Sequence, residues 1–258
     1  MNRATAWLQS LLLPRAQRKV RQSFLRRHAA ALRKMSEDSW GSVVRHCLIC
    51  GYDGMFAPHG SPPRLNAACP SCGSLERHRQ IHLYCEREKP FAKDHSVLHF
   101  APEKHLGPYV AARVGNYQTA DLRDDPKLTH PRLNIEDTKL PDGQYDWILC
   151  NHVLEHVNDA VALREFYRML KPGGRALITV PVAEGMPHTF EDATIITPGD
   201  RTLHYRQWDH VRYFGRDVRD RITAAGFDLY EFTADWRDIA PHAIAFSTGV
   251  FIATKPAA

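Results

Sequence analysis

The stretch YDWILCNHVLEHV, residues 145–157, contains a short apolar run that ends at the polar pair Asn151-His152. Residues Ala160–Leu170 have helical spacing, and a second apolar run follows at Ala176–Val180. A strand, a helix and a strand in this order are typical of a right-handed crossover between parallel strands. We therefore predict an α/β fold with a mostly parallel sheet.

The same alternation continues on both sides of this stretch. Apolar runs of strand length lie at Ser96–Phe100, Tyr117–Ala120 and Thr248–Thr254. Ligands of such sheets bind beyond the carboxyl ends of the strands. The binding site is therefore predicted just after residues 100, 120, 137 and 150.

Two Cys-x-x-Cys pairs lie upstream, each followed by glycine and separated by eighteen residues rich in Gly and Pro. Each pair predicts a tight turn that directs two thiolates to one point, and four such ligands suit a structural zinc ion. The predicted Zn²⁺ ligands are Cys47, Cys50, Cys69 and Cys72. The alternative is two unrelated pairs of buried thiols. Cys85 and Cys150 lie outside the pattern and are expected to be small core residues.

Positive charge is concentrated at the N-terminus. The 258 residues carry 34 Lys or Arg and 29 acids, but residues 1–46 alone hold ten Lys or Arg and two acids. Within them, residues 15–35 combine a narrow apolar stripe with a basic surface, which predicts an amphipathic helix. Its candidate contacts are the main domain, an anionic membrane surface and RNA phosphate.

The composition, 43% hydrophobic and 24% charged, argues against collagen, disorder and a multi-span membrane protein. The apolar segment Trp7–Leu13 is interrupted by polar residues and lacks a cleavage site, so we do not interpret it as a secretory signal. We predict a cytoplasmic protein whose basic arm is a candidate contact to the inner face of the membrane. The sequence does not indicate an oligomeric state.

Three parts are expected along the chain. A basic amphipathic helical arm occupies residues 1–46, and a zinc-binding unit with a linking helix at Ser74–Glu88 occupies residues 47–90. The α/β domain occupies residues 91–258. We therefore expect the binding chemistry at the sheet and a structural role for the metal.

Further motifs accompany the predicted strands. Asp121 follows the second strand, Glu136 and Asp137 precede a Leu-Pro pair, and LKPGG at residues 170–174 ends a helix before the next strand. Together with VLEH at residues 153–156, they resemble the class I S-adenosylmethionine-dependent methyltransferases of the type 11-like branch. The resemblance implies a Rossmann-like fold with a seven-stranded, mostly parallel sheet, and S-adenosylmethionine as the cofactor.

The resemblance covers residues 96–182 closely and residues 200–254 loosely. In the second region it includes Asp209-His-Val-Arg212 and Ala225-Gly-Phe227. The family places these two motifs before and within the last helix.

A set of cofactor-binding residues is implied by the same resemblance. Asp121 corresponds to the acid that binds the ribose hydroxyls. Glu136, or its neighbour Asp137, corresponds to the acid at the adenine amino group, and Asn151-His152 lines the methionine arm. The full set is Phe100, Ala101, Pro102, Glu103, Asp121, Leu122, Glu136, Asp137, Asn151 and His152.

The first turn departs from the family. There the first strand normally ends in an acid followed by glycines, whereas here His99 replaces the acid, and Ala101, Glu103 and His105 replace the glycines. Ala101 still permits a close approach of the backbone to the cofactor. Glu103 is a candidate carboxylate for the ammonium group or the ribose. The alternative is a degenerate loop that does not bind the cofactor.

Residues 183–214 correspond to the segment that normally builds the acceptor pocket, and they are rich in titratable side chains. A histidine oriented by a carboxylate is a common general base for a hydroxyl group. We predict this role for His210 with Asp209, and for His188 as the second choice. The alternative for His210 is a structural hydrogen bond at the mouth of the site. Residues 151–154 read Asn-His-Val-Leu, which disfavours amide and nucleobase-amine acceptors because enzymes for those usually carry Asn/Asp-Pro-Pro-aromatic there.

Three functions follow from these observations. The first is O-methylation of a small molecule or a glycan-type acceptor, and this is the one we predict. The second is an RNA methyltransferase that grips phosphate with the zinc unit and the arm, although the loop at residues 51–68 has Arg64 as its single Lys or Arg. The third is a zinc-stabilised binding protein with an inactive cofactor site.

Overall fold

The computed structural model describes residues 43–60, 64–245 and 249–257, and the packing of their backbone divides the chain into two compact units. The first unit contains the described residues up to 83 together with residues 234–245. The second contains residues 84–233 and the described residues after 248. The predicted arm, including its helix at residues 15–35, lies outside the described residues apart from its last four.

The described residues form eleven strands, six α-helices and one 3₁₀ helix. The strands are β1 (Arg45–His46), β2 (Asp53–Gly54), β3 (Ala57–His59), β4 (Arg64–Ala68), β5 (Ser96–Phe100), β6 (Asn116–Asp121), β7 (His130–Pro131), β8 (Tyr145–Asn151), β9 (Leu170–Thr179), β10 (Asp228–Phe232) and β11 (Val250–Thr254). The helices are α1 (Glu76–Glu88), α2 (Gly107–Ala111), α3 (Asp159–Met169), α4 (Pro198–Tyr205), α5 (Val218–Ala224) and α6 (Trp236–His242), and the 3₁₀ helix is Leu154–His156.

The first unit is built from two small antiparallel ribbons. β1 pairs with β2, and β3 pairs with β4. A small apolar cluster in this unit contains Cys47, Phe56, Cys69 and Ala243. The last of these residues follows α6, so the unit is completed by a segment far along the chain.

The second unit contains a seven-stranded sheet in the order β10-β11-β9-β8-β5-β6-β7. Strands β9, β8, β5, β6 and β7 are parallel, whereas β11 runs antiparallel to β9 and β10 antiparallel to β11. In this register Phe100 lies opposite Ala120 and Cys150, and Asn151 lies opposite Thr179. The carboxyl ends of four neighbouring strands therefore meet at one edge.

The predicted strand β5 has the predicted bounds, and β6, β8 and β9 are longer than their apolar cores suggested. β10 was not predicted, because Asp228 and Glu231 interrupt its apolar pattern and it lies at the edge of the sheet, where one side faces solvent. The placement of Ala225-Gly-Phe227 within the last helix is wrong. α5 ends at Ala224, and Gly226, with φ of +97°, turns the chain towards β10.

α3 covers the centre of the sheet with an apolar face. Its Phe166 is fully buried and stacks on Phe100 of β5, with ring centroids 5.6 Å apart. Cys150 and Cys85 are also fully buried, as predicted for small core residues. Burial raises the pKa of the Cys85 thiol to about 12, which keeps it neutral. Among the described residues, every helix is too short or too polar to cross a membrane.

We expect Phe166→Ala to lower the free energy of unfolding by about 3–5 kcal/mol, because it leaves a cavity between α3 and the sheet. Chemical denaturation followed by near-ultraviolet circular dichroism measures this loss. Arg164→Ala, on the exposed face of the same helix, is the control and should change stability by less than about 0.5 kcal/mol. Equal effects of the two variants would contradict the packing described here.

Candidate functional site

The turn after β5 brings main chain close to the neighbouring strand. Ala101 has φ of +47°, a left-handed conformation that an L-residue other than glycine adopts at a cost. Its N–H donates to the carbonyl of Ala120 over 2.8 Å, which holds the turn against β6. Phe100 points into the core, so any contact it makes with a cofactor is through its backbone. Pro102 is half-buried.

A chain of polar contacts crosses the strand ends at this turn. The fully buried His99 contacts the Tyr117 hydroxyl through Nδ1 at 2.8 Å, and its Nε2 lies 3.4 Å from Glu103. Asn151 donates from Nδ2 to the same Glu103 oxygen over 3.0 Å, and it accepts a hydrogen bond from Thr179 over 2.9 Å. The carboxylate of Glu103 is thus held between the ends of β5 and β8.

Asp121, the last residue of β6, presents a second carboxylate at the same edge. It accepts hydrogen bonds from the backbone N–H of Arg123 at 2.9 Å and from the guanidinium of Arg123 at 2.8 Å. Burial raises the pKa of Asp121, but the hydrogen bonds from Arg123 outweigh it and the net pKa is lowered. The carboxylate is therefore ionised at neutral pH. Leu122 beside it is exposed.

Glu136 and Asp137 differ in their surroundings. The carboxylate of Glu136 accepts the backbone N–H of Asn158 over 2.7 Å, directly at the start of α3. Asp137 is exposed and pairs with Lys139 at 2.8 Å. Of the two predicted adenine contacts, Glu136 is the one fixed by the fold. Its role stays a prediction.

The residues after β8 form a polar cluster around the buried Glu155. His152 has φ of +54°, donates its N–H to the carbonyl of Thr179 over 2.7 Å, and places Nδ1 3.2 Å from Oε1 of Glu155. Glu155 is almost fully buried in the 3₁₀ helix. Burial raises its pKa, but the hydrogen bond and charge of His152, a backbone hydrogen bond and the charge of His156 together lower it on balance.

His210 lies beside this cluster. Its ring packs edge-to-face on His156 with centroids 4.7 Å apart, and burial lowers its pKa. Asp209, the predicted orienting carboxylate, lies instead next to His156, with its carbonyl 3.3 Å and its carboxylate 3.5 Å from His156 Nδ1. His188 is exposed on the preceding loop. The structure thus brings His210 and Asp209 to His156 and leaves His188 facing solvent.

Glu155 and His156 were not predicted as site residues. They appeared in the sequence only as part of the VLEH motif, and His210 is 54 positions away from His156. One ligand atom from each of Glu155, His156 and His210 lies within 4.8 Å of the others. The two motifs that contain these residues, VLEH and DHVR, are too far apart in the sequence for a local pattern to connect them.

Arg212 links the segment at residues 209–212 to the 3₁₀ helix Leu154–His156. Its guanidinium donates to the carbonyl of Leu154 over 2.9 Å and to the carbonyl of Val157. The backbone N–H of Val211 also donates to the carbonyl of Glu155 over 2.9 Å. Because Arg212 is buried, these hydrogen bonds are shielded from water and hold the cluster in place.

The four predicted metal ligands converge in the first unit. The sulfur atoms of Cys47 and Cys72 are 3.8 Å apart, and those of Cys50 and Cys69 are 3.7 Å apart. Four sulfurs at about 2.3 Å from a tetrahedral Zn²⁺ are about 3.8 Å from one another. All six cysteines are free thiols. The geometry therefore matches a Zn(Cys)₄ site.

The surroundings of the four cysteines also suit a cation. The hydrogen bond with Cys47 raises the pKa of the Cys72 thiol above its usual value. Arg79 is fully buried nearby and donates to the carbonyls of Ser74, Ala67, His242 and Ala243. Its fixed positive charge stabilises thiolates.

Comparison with known proteins relates part of this chain to methyltransferases. Residues 109–178 match the family model described as a methyltransferase domain. The ubiquinone/menaquinone biosynthesis C-methyltransferase UbiE of Escherichia coli is 32% identical over 139 residues, covering 47% of this chain and 55% of the relative. The UbiE of Proteus mirabilis is 30% identical over 135 residues, covering 47% and 54%. The chain spans about half the length of these curated relatives.

A solved structure has a similar fold. The S-adenosylmethionine-dependent methyltransferase from Mesorhizobium loti has a TM-score of 0.50 at 12% identity, covering 68% of this chain and 98% of that one. The sheet thus shares the fold of this methyltransferase. This confirms the predicted Rossmann-like, seven-stranded, mostly parallel sheet, and the comparisons support the predicted enzyme class.

We expect Ala101→Gly to raise the free energy of unfolding by about 0.5–1 kcal/mol, because glycine adopts a positive φ without the steric cost that alanine bears. Thermal and chemical denaturation measure the change. Ala112→Gly, at an exposed position with φ of −70°, is the matched control and should destabilise. A loss of stability in both variants would contradict a strained turn at Ala101.

Proposed function

We propose that this protein is an S-adenosylmethionine-dependent methyltransferase. The observation that carries the proposal is the presence of two carboxylates at the carboxyl edge of the sheet, one from Asp121 and one from Glu103, which Asn151 holds. The fold and the methyltransferase-domain match over residues 109–178 support it. Ligands of parallel sheets bind at this edge.

Each group at the edge has a chemical task under this proposal. Asp121 accepts hydrogen bonds from the two ribose hydroxyls, Glu136 accepts one from the adenine amino group, and Glu103 with Asn151 binds the ammonium group. Arg123, which is bonded to Asp121, is largely exposed and can be displaced by a ligand at little cost. The bound cofactor supplies an electrophilic methyl group, and the chain aligns the acceptor with it.

We propose a hydroxyl group of a small molecule or glycan as the acceptor. The buried imidazole of His210 and the partly exposed imidazole of His156, beside the exit of β8, support this, because an imidazole can accept the proton of a hydroxyl group. The role of His210 as general base stays a prediction. The relatives named UbiE are C-methyltransferases, but they match about half of the chain and do not assign this acceptor.

RNA as the acceptor is supported less well. In the described part of the zinc unit, the guanidinium of Arg64 pairs with Glu76 at 2.9 Å, so its charge is already compensated. Phosphate binding needs several uncompensated cations on one surface. The predicted arm helix at residues 15–35 lies outside the described residues, and its partner stays a prediction.

We expect Asp121→Ala to weaken the binding of S-adenosylmethionine and S-adenosylhomocysteine by about 10- to 100-fold, because hydrogen bonds to a charged group contribute about 1.5–3 kcal/mol. Isothermal titration calorimetry measures both affinities. Asp124→Ala is the control, since this carboxylate lies on the same loop but is exposed and pairs with Arg132.

Two results would contradict the proposal. If the wild-type protein binds neither ligand, the turn at Ala101 has lost the cofactor and the binding-protein alternative takes over. If Asp121→Ala and Asp124→Ala bind equally well, the carboxylate at the end of β6 does not contact the ribose.

We also propose that Cys47, Cys50, Cys69 and Cys72 bind a structural Zn²⁺. The sulfur separations and the buried guanidinium of Arg79 support this. No ligand position is left open in a four-cysteine site, so the ion has no place for a substrate.

We expect Cys50→Ser to release zinc and to lower the melting temperature, because metal binding contributes directly to the folding of such units. Elemental analysis should give one zinc per chain fewer in the variant than in the wild type. Cys85→Ala, which removes a buried thiol outside the cluster, should keep the zinc content of the wild type. An unchanged zinc content in Cys50→Ser, or a lower one in Cys85→Ala, would contradict the assignment.

A further inference from the structure

We propose that Glu155, His156 and His210 bind a divalent transition-metal ion, at a site separate in chemistry from the four cysteines. Their ligand atoms lie within 4.8 Å of one another. Donors around one ion at about 2.1 Å are about 3–4 Å apart, so small rotations of the rings complete the set. One carboxylate and two imidazoles suit Mn²⁺, Fe²⁺, Co²⁺ and Zn²⁺.

Two atoms of this cluster are buried without a hydrogen-bond partner in the part of the chain that the structure describes. They are Oε2 of Glu155 and Nδ1 of His210. An unpaired buried polar atom costs about 1–3 kcal/mol, and more when it carries charge. A cation between them satisfies both at once, because each offers a lone pair.

The remaining polar atoms of the cluster already have the contacts that orient metal ligands. Nδ1 of His156 faces the carbonyl and carboxylate of Asp209, which leaves Nε2 as its lone-pair donor. Oε1 of Glu155 contacts Nδ1 of His152 at 3.2 Å, which leaves Oε2 free to bind. Outer contacts of this kind fix the tautomer and the direction of metal-binding histidines and carboxylates.

Hydrogen bonds link the two backbone segments that carry the cluster. Arg212 donates to the carbonyls on either side of Glu155 and His156, and Val211 donates to the carbonyl of Glu155. The ligands from the 3₁₀ helix and from the 209–212 segment are therefore held together before any ion binds. A preorganised set of donors binds a metal more tightly than a flexible one.

Three protein ligands leave coordination positions open. If the proposed methyltransferase activity holds, on which this role rests, an acceptor oxygen occupies one of them beside the exit of β8. His210 then acts as a ligand and not as the general base. The binding claim itself does not depend on the activity, so the two can be tested separately.

The experiment uses the full chain with zinc already bound to its cysteines. Mn²⁺, which prefers oxygen and nitrogen ligands over thiolates, is titrated and followed by electron paramagnetic resonance, and Co²⁺ is titrated by calorimetry. We expect one site per chain. Its affinity should fall by more than about 100-fold in Glu155→Gln and in His210→Gln, since losing an outer partner alone costs about 10- to 100-fold.

His204→Gln is the matched control, because this histidine lies six positions before His210 but is exposed on α4. It should bind both metals like the wild type. Pulsed paramagnetic resonance on the Mn²⁺-loaded wild type should also show coupling to imidazole nitrogen, and this measurement does not depend on whether the variants fold. Calorimetry with S-adenosylmethionine reports separately on the cofactor site.

The proposal is overturned if the wild type binds neither ion, if it shows no imidazole coupling, or if folded Glu155→Gln and His210→Gln bind as tightly as the wild type. Cofactor binding without metal binding would contradict this inference and would leave the proposed function supported. Metal binding without cofactor binding would do the reverse.

Discussion

The parallel pairing of β5 with β8 is the constraint on which the rest of the second unit depends. Because Phe100 lies opposite Cys150, the two strands end at the same level, and the next residues of both meet at one edge. Glu103 can then reach Asn151, although they are 48 positions apart in sequence. A register shift of one residue would turn these side chains to the other face of the sheet.

The same pairing places a carboxylate from the following loop beside the end of β5, which carries His99 and no acid. His99, which stands where the family carries an acid, has no negative charge to offer a ligand, and it is buried and hydrogen-bonded to Tyr117. The loop carries a negative charge four residues later, on the carboxylate of Glu103, which contacts both His99 and Asn151. Under the proposed function, this loop carboxylate takes the part of the acid that the family carries on the strand. The strain at Ala101 accompanies this rearrangement.

Much of this architecture could be predicted from the sequence because it depends on local patterns. The apolar runs predict the central parallel strands, and the two Cys-x-x-Cys pairs predict the four cysteines that the structure brings together. The cluster of Glu155, His156 and His210 could not be predicted in this way. Its formation depends on Arg212 bonding to backbone carbonyls, and carbonyl acceptors leave no mark in a sequence.

The edge strand β10 and the distant segment at residues 234–245 could not be predicted from the sequence for related reasons. β10 has a mixed pattern because only part of it packs on the core. Residues 234–245 carry no motif, yet they complete the first unit through the carbonyls of His242 and Ala243. Pattern analysis finds elements whose own side chains decide their position, and it misses those held through their main chain.

The bonding of Arg79 has a consequence for the order in which the chain can fold. Two of its acceptors are carbonyls of His242 and Ala243, more than 160 positions downstream. During synthesis, all four cysteines emerge long before these acceptors, and a buried guanidinium is costly until its partners arrive. The cysteine unit therefore cannot complete its packing until His242 and Ala243 have been synthesised. A fragment ending after α1 would contain every sulfur ligand and still lack the part of the unit that closes over them.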